Sequence, residues 1–218
     1  MINQNLDWED HILKLCTTGR KLTAWILNVF YTRNKDVLLT LFNSLIRSRL
    51  EYCSQVWDPY QIKHIDAIEQ VQRSFTRKIE FMGDLSYWDR LKKLNIMSLQ
   101  RRREKNTLIF VWKIKNDHVP NEINLQFLYN QRKLKSQVVL KPMPKIRGKI
   151  LSTYENSFVI KAGKLWNKLP ATLTEIPELN LFRSKLDKHL SLIPDHPPVK
   201  GYYHCNKNSL LEYKTSNV

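Results

Sequence analysis

Glycine is scarce, with 5 residues in 218, and only 3 cysteines occur. So little glycine excludes collagen-like and glycine-rich low-complexity chains, and three cysteines do not make the disulfide framework of a small secreted domain. Long apolar runs are missing too: no stretch approaches the ~18 residues that span a bilayer. The first 30 residues mix Asp7, Glu9, Asp10, Lys14, Arg20 and Lys21 among the apolar positions, unlike a signal peptide. These absences lead us to expect a reduced, intracellular protein with no membrane partner. Met1 is followed almost at once by Asn5-Leu6-Asp7-Trp8, which reads as a chain that begins mid-protein.

Convergent catalytic residues are equally sparse. No two aspartates are adjacent, no glycine-rich loop could cradle a phosphate, and no cysteine or histidine pair has zinc-like spacing. His189, His196, His204 and Cys205 fall near one another in sequence, but neighbouring His204 and Cys205 do not easily reach one ion and no second cysteine supports them. Cys16 and Cys53 read as small hydrophobes on apolar-leaning helix positions. We therefore expect no enzyme, no cofactor and no metal.

What the chain has is basic charge. Lys and Arg number 36 against 20 Asp and Glu, a formal charge of +16. Fourteen of those sixteen net charges lie between Gln61 and Lys168, and the stretch from Phe127 to Ile150 holds seven Lys/Arg with no acidic residue. A merely soluble surface intersperses both signs, so Arg132, Lys133, Lys135, Lys141, Lys145, Arg147 and Lys149 are candidate phosphate contacts, the alternative being a solvated loop. Arg101-Arg102-Arg103 is the densest cluster. Consecutive helical residues fan over about 200°, so one of the three packs inside while the others are placed to grip phosphates. Arg73 and Arg77 complete the candidate set. Trp57, Trp88, Trp112 and Trp166 fall on apolar stripes or at their ends and read as core rather than as base-stacking groups. Tyr60, just past Pro59, is the exception.

Hydrophobic content of 42% supplies one or two ordinary cores, and a chain of this length buries roughly 70% of its unfolded surface. Trp8, Ile12, Leu15, Leu22, Ile26 and Val29 share one face of a helix of about seven turns, with Asp7 as its N-cap. Gly19 sits on that stripe and either admits a close neighbour or breaks the helix. A second helix restarts at Asn34-Lys35-Asp36 and carries Leu38, Phe42, Leu45, Arg49, Tyr52 and Val56 until Asp58-Pro59. A third runs from about Ile62 to Phe81 with Ile65, Ile68, Val71, Phe75 and Ile79 inward. A short helix over 85–94 follows, then one capped by Ser98 and buried in its second half. Pro120, Pro142, Pro144 and Gly148 punctuate the basic stretch, which allows short strands at 138–140 and 150–151 but no long helix. Helices return over 156–168 and about 179–192, the latter with Phe182, Leu186 and His189/Leu190 inward.

Several segments, taken in order, resemble one family. Asn5-Leu6-Asp7-Trp8 with His11-Ile12 and Ser44-Leu45-Ile46-Arg47 leads to Leu50-Glu51-Tyr52-Cys53-Ser54-Gln55-Val56-Trp57-Asp58-Pro59-Tyr60. Ile68-Glu69-Gln70-Val71-Gln72-Arg73, Arg90-Leu91-Lys92-Lys93-Leu94-Asn95-Ile96 and Ser98-Leu99 with Arg102-Arg103 come next. Leu165-Trp166-Asn167-Lys168-Leu169-Pro170 and Phe182-Arg183-Ser184-Lys185-Leu186-Asp187 complete the series. Together they are similar to the region after the polymerase palm in non-LTR, jockey-like retrotransposon reverse transcriptases. The resemblance covers nearly the whole chain and implies the thumb and C-terminal extension of such an enzyme. The family's aromatic-Ala-Asp-Asp turn, whose carboxylates hold two metal ions, does not occur in this sequence, and the palm and the endonuclease are both lacking.

The expected fold is mainly α. Residues 1–5 are an N-terminal start, 6–116 a thumb-like helical bundle, 117–155 a basic connector of irregular and short-strand structure, 156–193 a small helical C-terminal unit and 194–218 a polar tail. The function implied by the resemblance is a non-catalytic one, gripping template RNA or an RNA–DNA duplex by its backbone, with the palm of the parent polymerase as a further partner. A domesticated or truncated fragment whose helices dock a protein is the alternative.

Overall fold

The computed structural model describes residues 8–140, 145–146, 149–150, 152–196 and 208–211. Among these the chain is mainly helical, as its periodicity predicts. Helices α1 (Glu9–Val29) and α2 (Lys35–Leu41) are followed by a π-helical turn (Phe42–Arg47), then by α3 (Ser48–Glu51), α4 (Ser54–Trp57), α5 (Ile62–Thr76), α6 (Tyr87–Leu94) and α7 (Leu99–Lys115). Strands β1 (Phe127–Asn130) and β2 (Lys135–Val138) form an antiparallel hairpin, and β3 (Lys145–Ile146) and β4 (Lys149–Ile150) a second, two-residue ladder. Helices α8 (Ser152–Glu155), α9 (Phe158–Lys168), α10 (Ala171–Thr174) and α11 (Leu179–Ser191) complete the order.

The chain divides into two compact units, Met1–Arg103 with Asp195–Asn208 and Glu104–Pro194 with Ser209–Val218. This corrects the expected boundary near 116, and it also corrects the reading of 194–218 as a mere tail. The reason is polar pairing distant in sequence. Asp195 accepts from the backbone N–H and hydroxyl of Ser98 at 2.6 and 2.7 Å, and the Asn208 backbone N–H donates to Gln100. In the second unit Glu104 accepts from the Leu210 N–H at 2.8 Å.

In the first unit α1 buries Ile12, Cys16, Gly19 and Ile26 on one stripe. A Cβ at Gly19 would stand 3.0 Å from Cγ1 of Val71 on α5. Glycine therefore serves close approach of the two helices, and α1 runs unbroken. The Asp7 cap lies outside the described residues. α5 turns Ile65, Ile68, Val71 and Phe75 inward, with Ile79 just beyond its end, and the Phe75 ring packs 4.8 Å from that of Phe42.

The second expected helix is corrected. Its buried positions are Leu38, Phe42, Ile46 and Leu50, each four residues from the last. On a pure α-helix three such steps drift by about 120°; the wider π turn absorbs the drift and keeps the four in line. Tyr52 and Val56, expected inside, are exposed, because Cys53 adopts the left-handed conformation (φ 49°) and the chain restarts as α4 with Ser54 and Trp57 inward. Cys53 is itself exposed, whereas Cys16 is buried as expected.

The second unit is built on aromatic packing. Trp112 on α7, Trp166 on α9 and Phe182 on α11 are fully buried, with ring centroids 5.7 Å (Trp112 to Phe182) and 6.1 Å (Trp166 to Phe182) apart. Their indole N–H groups are satisfied, Trp112 by the Ile176 carbonyl at 2.8 Å and Trp166 by that of Ser136 at 3.1 Å. Asn167 pairs with both backbone groups of Val138, at 2.8 and 2.9 Å, and so fastens β2 to α9. Gly163 makes that contact possible, since a Cβ there would lie 2.6 Å from Cδ2 of Leu140. α11 presents Phe182, Leu186 and Leu190 inward, as its periodicity requires.

Candidate nucleic-acid interface

The start of α7 fixes what the arginine cluster does. Ser98 caps the helix, its Oγ accepting from the Arg101 N–H at 3.2 Å. Glu69 on α5, fully buried, accepts from the N–H groups of Leu99 (3.1 Å) and Gln100 (3.3 Å) and from the Tyr87 hydroxyl. Carboxylates at a helix N-terminus are favoured by the dipole and by its unpaired N–H groups. Burial nevertheless pushes the Glu69 carboxyl above its ordinary range, against the pull of the Tyr87 hydrogen bond. The same burial, with Glu69 beside it, raises the Tyr87 hydroxyl well above its usual value. A cavity of about 10 Å³, enough for a single water, opens beside Glu69, Ser98 and Asn208.

Positive charge is drawn inward to these carboxylates. Arg101 and Arg103 are each only 1% exposed. Arg101 donates to the Asn208 amide oxygen at 3.3 Å with Asp195 at 4.0 Å, and Arg103 donates through Nε to Asp58 at 2.7 Å. The expectation that one of the three arginines packs inside is corrected to two, and neither is placed to hold an external phosphate. Arg102, half-buried, grips Glu51 through Nε and, at 2.9 Å, through Nη2.

On α5, Arg73 is half-buried, hydrogen-bonded to Gln70 at 2.9 Å and paired with Asp66 at 3.5 Å. Its guanidinium lies 4.8 Å over the Tyr87 ring, a cation–π contact. Arg77, the residue after α5, is exposed.

In the second unit the hairpin turn exposes Arg132 and Lys133. Lys135, two residues on, is 8% exposed and spends its ammonium on the carbonyls of Asn167 and Leu169, both at 2.7 Å, at the C-terminal end of α9. A cation there meets the negative end of the helix dipole, which removes Lys135 from the candidate surface. Lys141 and Arg147 lie outside the described residues. Lys145 and Lys149 sit in the β3–β4 ladder, opposite Ile150 and Ile146.

Sequence density missed other basic residues. Lys78, Lys92 and Lys93 are exposed, the last two on the solvent side of the short helix α6, where its 3.6-residue period places them. Arg90, by contrast, is buried against the Arg73 and Leu85 carbonyls. Among the aromatic residues, Trp57, Trp112 and Trp166 are core, as expected, while Tyr60 is exposed and is joined at the surface by Trp25, Tyr31, Tyr52 and Phe81.

Among the described residues no group of His, Cys, Asp and Glu could hold a metal ion, and no helix is long and apolar enough to cross a membrane. No family model matches the chain, and neither a curated protein nor a solved structure matches it significantly.

Proposed function

We propose that the chain binds RNA or an RNA–DNA duplex by its phosphate backbone, as the non-catalytic thumb and C-terminal portion of a non-LTR retrotransposon reverse transcriptase. The observation that carries this reading is the net charge of +16 together with exposed cations on both units: Arg77, Lys78, Lys92 and Lys93 on the first, Arg132 and Lys133 on the second. Backbone contact by Lys and Arg is independent of base sequence and suits a surface along which a duplex must slide. The ordered series of sequence segments similar to that family supplies the identity of the partner.

Titration of a labelled RNA–DNA duplex at several salt concentrations tests the reading. Log affinity is expected to fall linearly with log salt at about 0.7–0.9 per phosphate contact, and changing Arg77, Arg132 and Lys133 together to Gln flattens that slope and weakens every sequence alike. Failure of the folded chain to bind at any salt would overturn the proposal. It would favour docking to a protein instead, a reading for which Tyr31 and Phe81, 92% and 81% exposed, are the supporting surface.

A further inference from the structure

The first unit holds a half-buried pair of guanidiniums that share one carboxylate. Arg47 closes the π-helical turn, Glu51 ends α3 one turn later, and Arg102 reaches Glu51 from the first turn of α7. Arg102 engages both Glu51 oxygens, Nε on Oε1 and Nη2 on Oε2. Arg47 is left with its Nε 4.0 Å from the same Oε1, too long for a hydrogen bond. The three side chains, Arg47, Arg102 and Glu51, are 23%, 22% and 13% exposed. Two positive charges and one negative charge thus occupy a place from which most water is excluded. Burial and the Arg102 charge both work against the charged form of Arg47, yet a guanidinium keeps its proton in proteins. The uncompensated charge is met by an anion, not by deprotonation.

We propose that Arg47 and Arg102 together hold one phosphate group, with Glu51 orienting Arg102 for it; that the phosphate belongs to a nucleic-acid backbone rests on the reading above. The geometry fits an anion of that shape. Arg102 spends its Nε–Nη2 edge on Glu51, which leaves Nη1 for a further oxygen. Arg47 has its Nη1 and Nη2 donors to offer, and phosphate oxygens accept such pairs side by side. Unlike the exposed lysines, this pair is held in position by a carboxylate and a helix, so it fixes one phosphate relative to the bundle and sets register while the exposed cations add attraction.

The test uses the full chain and its Arg47→Gln and Arg47→Lys variants. With the RNA–DNA duplex, Arg47→Gln is expected to weaken binding by about tenfold and to lower the salt slope by about 0.7–0.9, one contact. Arg47→Lys keeps the slope but not the full affinity. Unfolding temperature in chloride stays the same, because Glu51 retains Arg102. In a second arm, inorganic phosphate replaces chloride at equal ionic strength and should raise the unfolding temperature of the parent more than that of Arg47→Gln; the difference is read because phosphate stabilises proteins generally. Duplex binding with an unchanged slope in Arg47→Gln would overturn the site and leave the nucleic-acid reading standing. If the parent binds no duplex, that reading falls and the second arm decides. Arg47-dependent stabilisation would uphold a phosphate site fed from another source, and equal stabilisation would overturn it.

Discussion

The start of α7 and the tip of the β1–β2 hairpin carry basic residues at similar density, and the fold uses them in opposite ways. At the helix, Arg101 and Arg103 are buried against Asp195, Asn208 and Asp58, and Arg102 is tied to Glu51. At the hairpin, Arg132 and Lys133 stand in solvent while Lys135, two residues away, is buried as a cap for α9. Density of charge along a sequence therefore says little about which charges face outward. What decides is whether a carboxylate or an unpaired carbonyl lies within reach, since a buried guanidinium or ammonium needs a partner to offset its lost hydration.

The largest effect that could break this comparison is at Arg103. Arg103→Met leaves Asp58 without its guanidinium in a buried setting and should cost about 3–5 kcal/mol, read by urea unfolding. Joining it to Asp58→Leu should recover part of that loss, because an apolar pair need not be desolvated at such cost. If Arg103→Met unfolds at the same urea concentration as the parent, the arginine is not structural and the contrast with the hairpin collapses.

Next in size is Lys135→Gln. It removes the charged donor to the last carbonyls of α9 and should cost about 1–3 kcal/mol, whereas Arg132→Gln and Lys133→Gln together should stay within about 0.5 kcal/mol. A thermal melt of each variant compares them directly. The same double variant should lower the salt slope of duplex binding by two contacts, at about 0.7–0.9 each, while Lys135→Gln, if folded, leaves the slope alone. Equal destabilisation by the two changes would show that the hairpin tip is packed rather than free.

The smallest effect concerns proton linkage in the second unit. Burial lowers the pKa of His189 on α11 below its ordinary 6.5. The folded state therefore favours the neutral imidazole: its contribution is fully present above about pH 6.5 and is lost as pH falls through the lower folded value. The difference in unfolding temperature between the parent and His189→Gln should be flat above neutrality and shrink on acidification. A difference that grew on acidification would mean that a carboxylate stabilises the charged ring.

Much of the helical framework was legible from period alone. The stripes of α1, α5 and α11 and the Ser98 cap follow local rules, and local rules need only neighbouring residues. The polar interior was not. Arg103 finds Asp58 at a separation of 45 residues, Arg102 finds Glu51 at 51, and Ser98 finds Asp195 at 97. No window of a few turns contains such pairs, so the arginine run read as surface. Many of the segments that carry the family resemblance, among them Glu51, Asp58, Glu69, Gln72, Ser98 and Arg102-Arg103, are the members of this interior. Their spacing in the sequence records which partners they meet in the fold. Cys53 was misjudged for another reason, because nothing in its neighbours announces a left-handed residue between two helices.

The π-helical turn makes this stretch sensitive to the length of its coding sequence in a way that no substitution tests. Losing one codon within 42–47 would let the turn relax to α-helical winding, and everything after it would rotate by about 100°. Ile46 and Leu50 would leave the core together, and Arg47 and Glu51 would swing away from Arg102. A deletion that shortens the protein by one residue, without altering any other side chain, would thus undo both the packing of the bundle and the shared carboxylate.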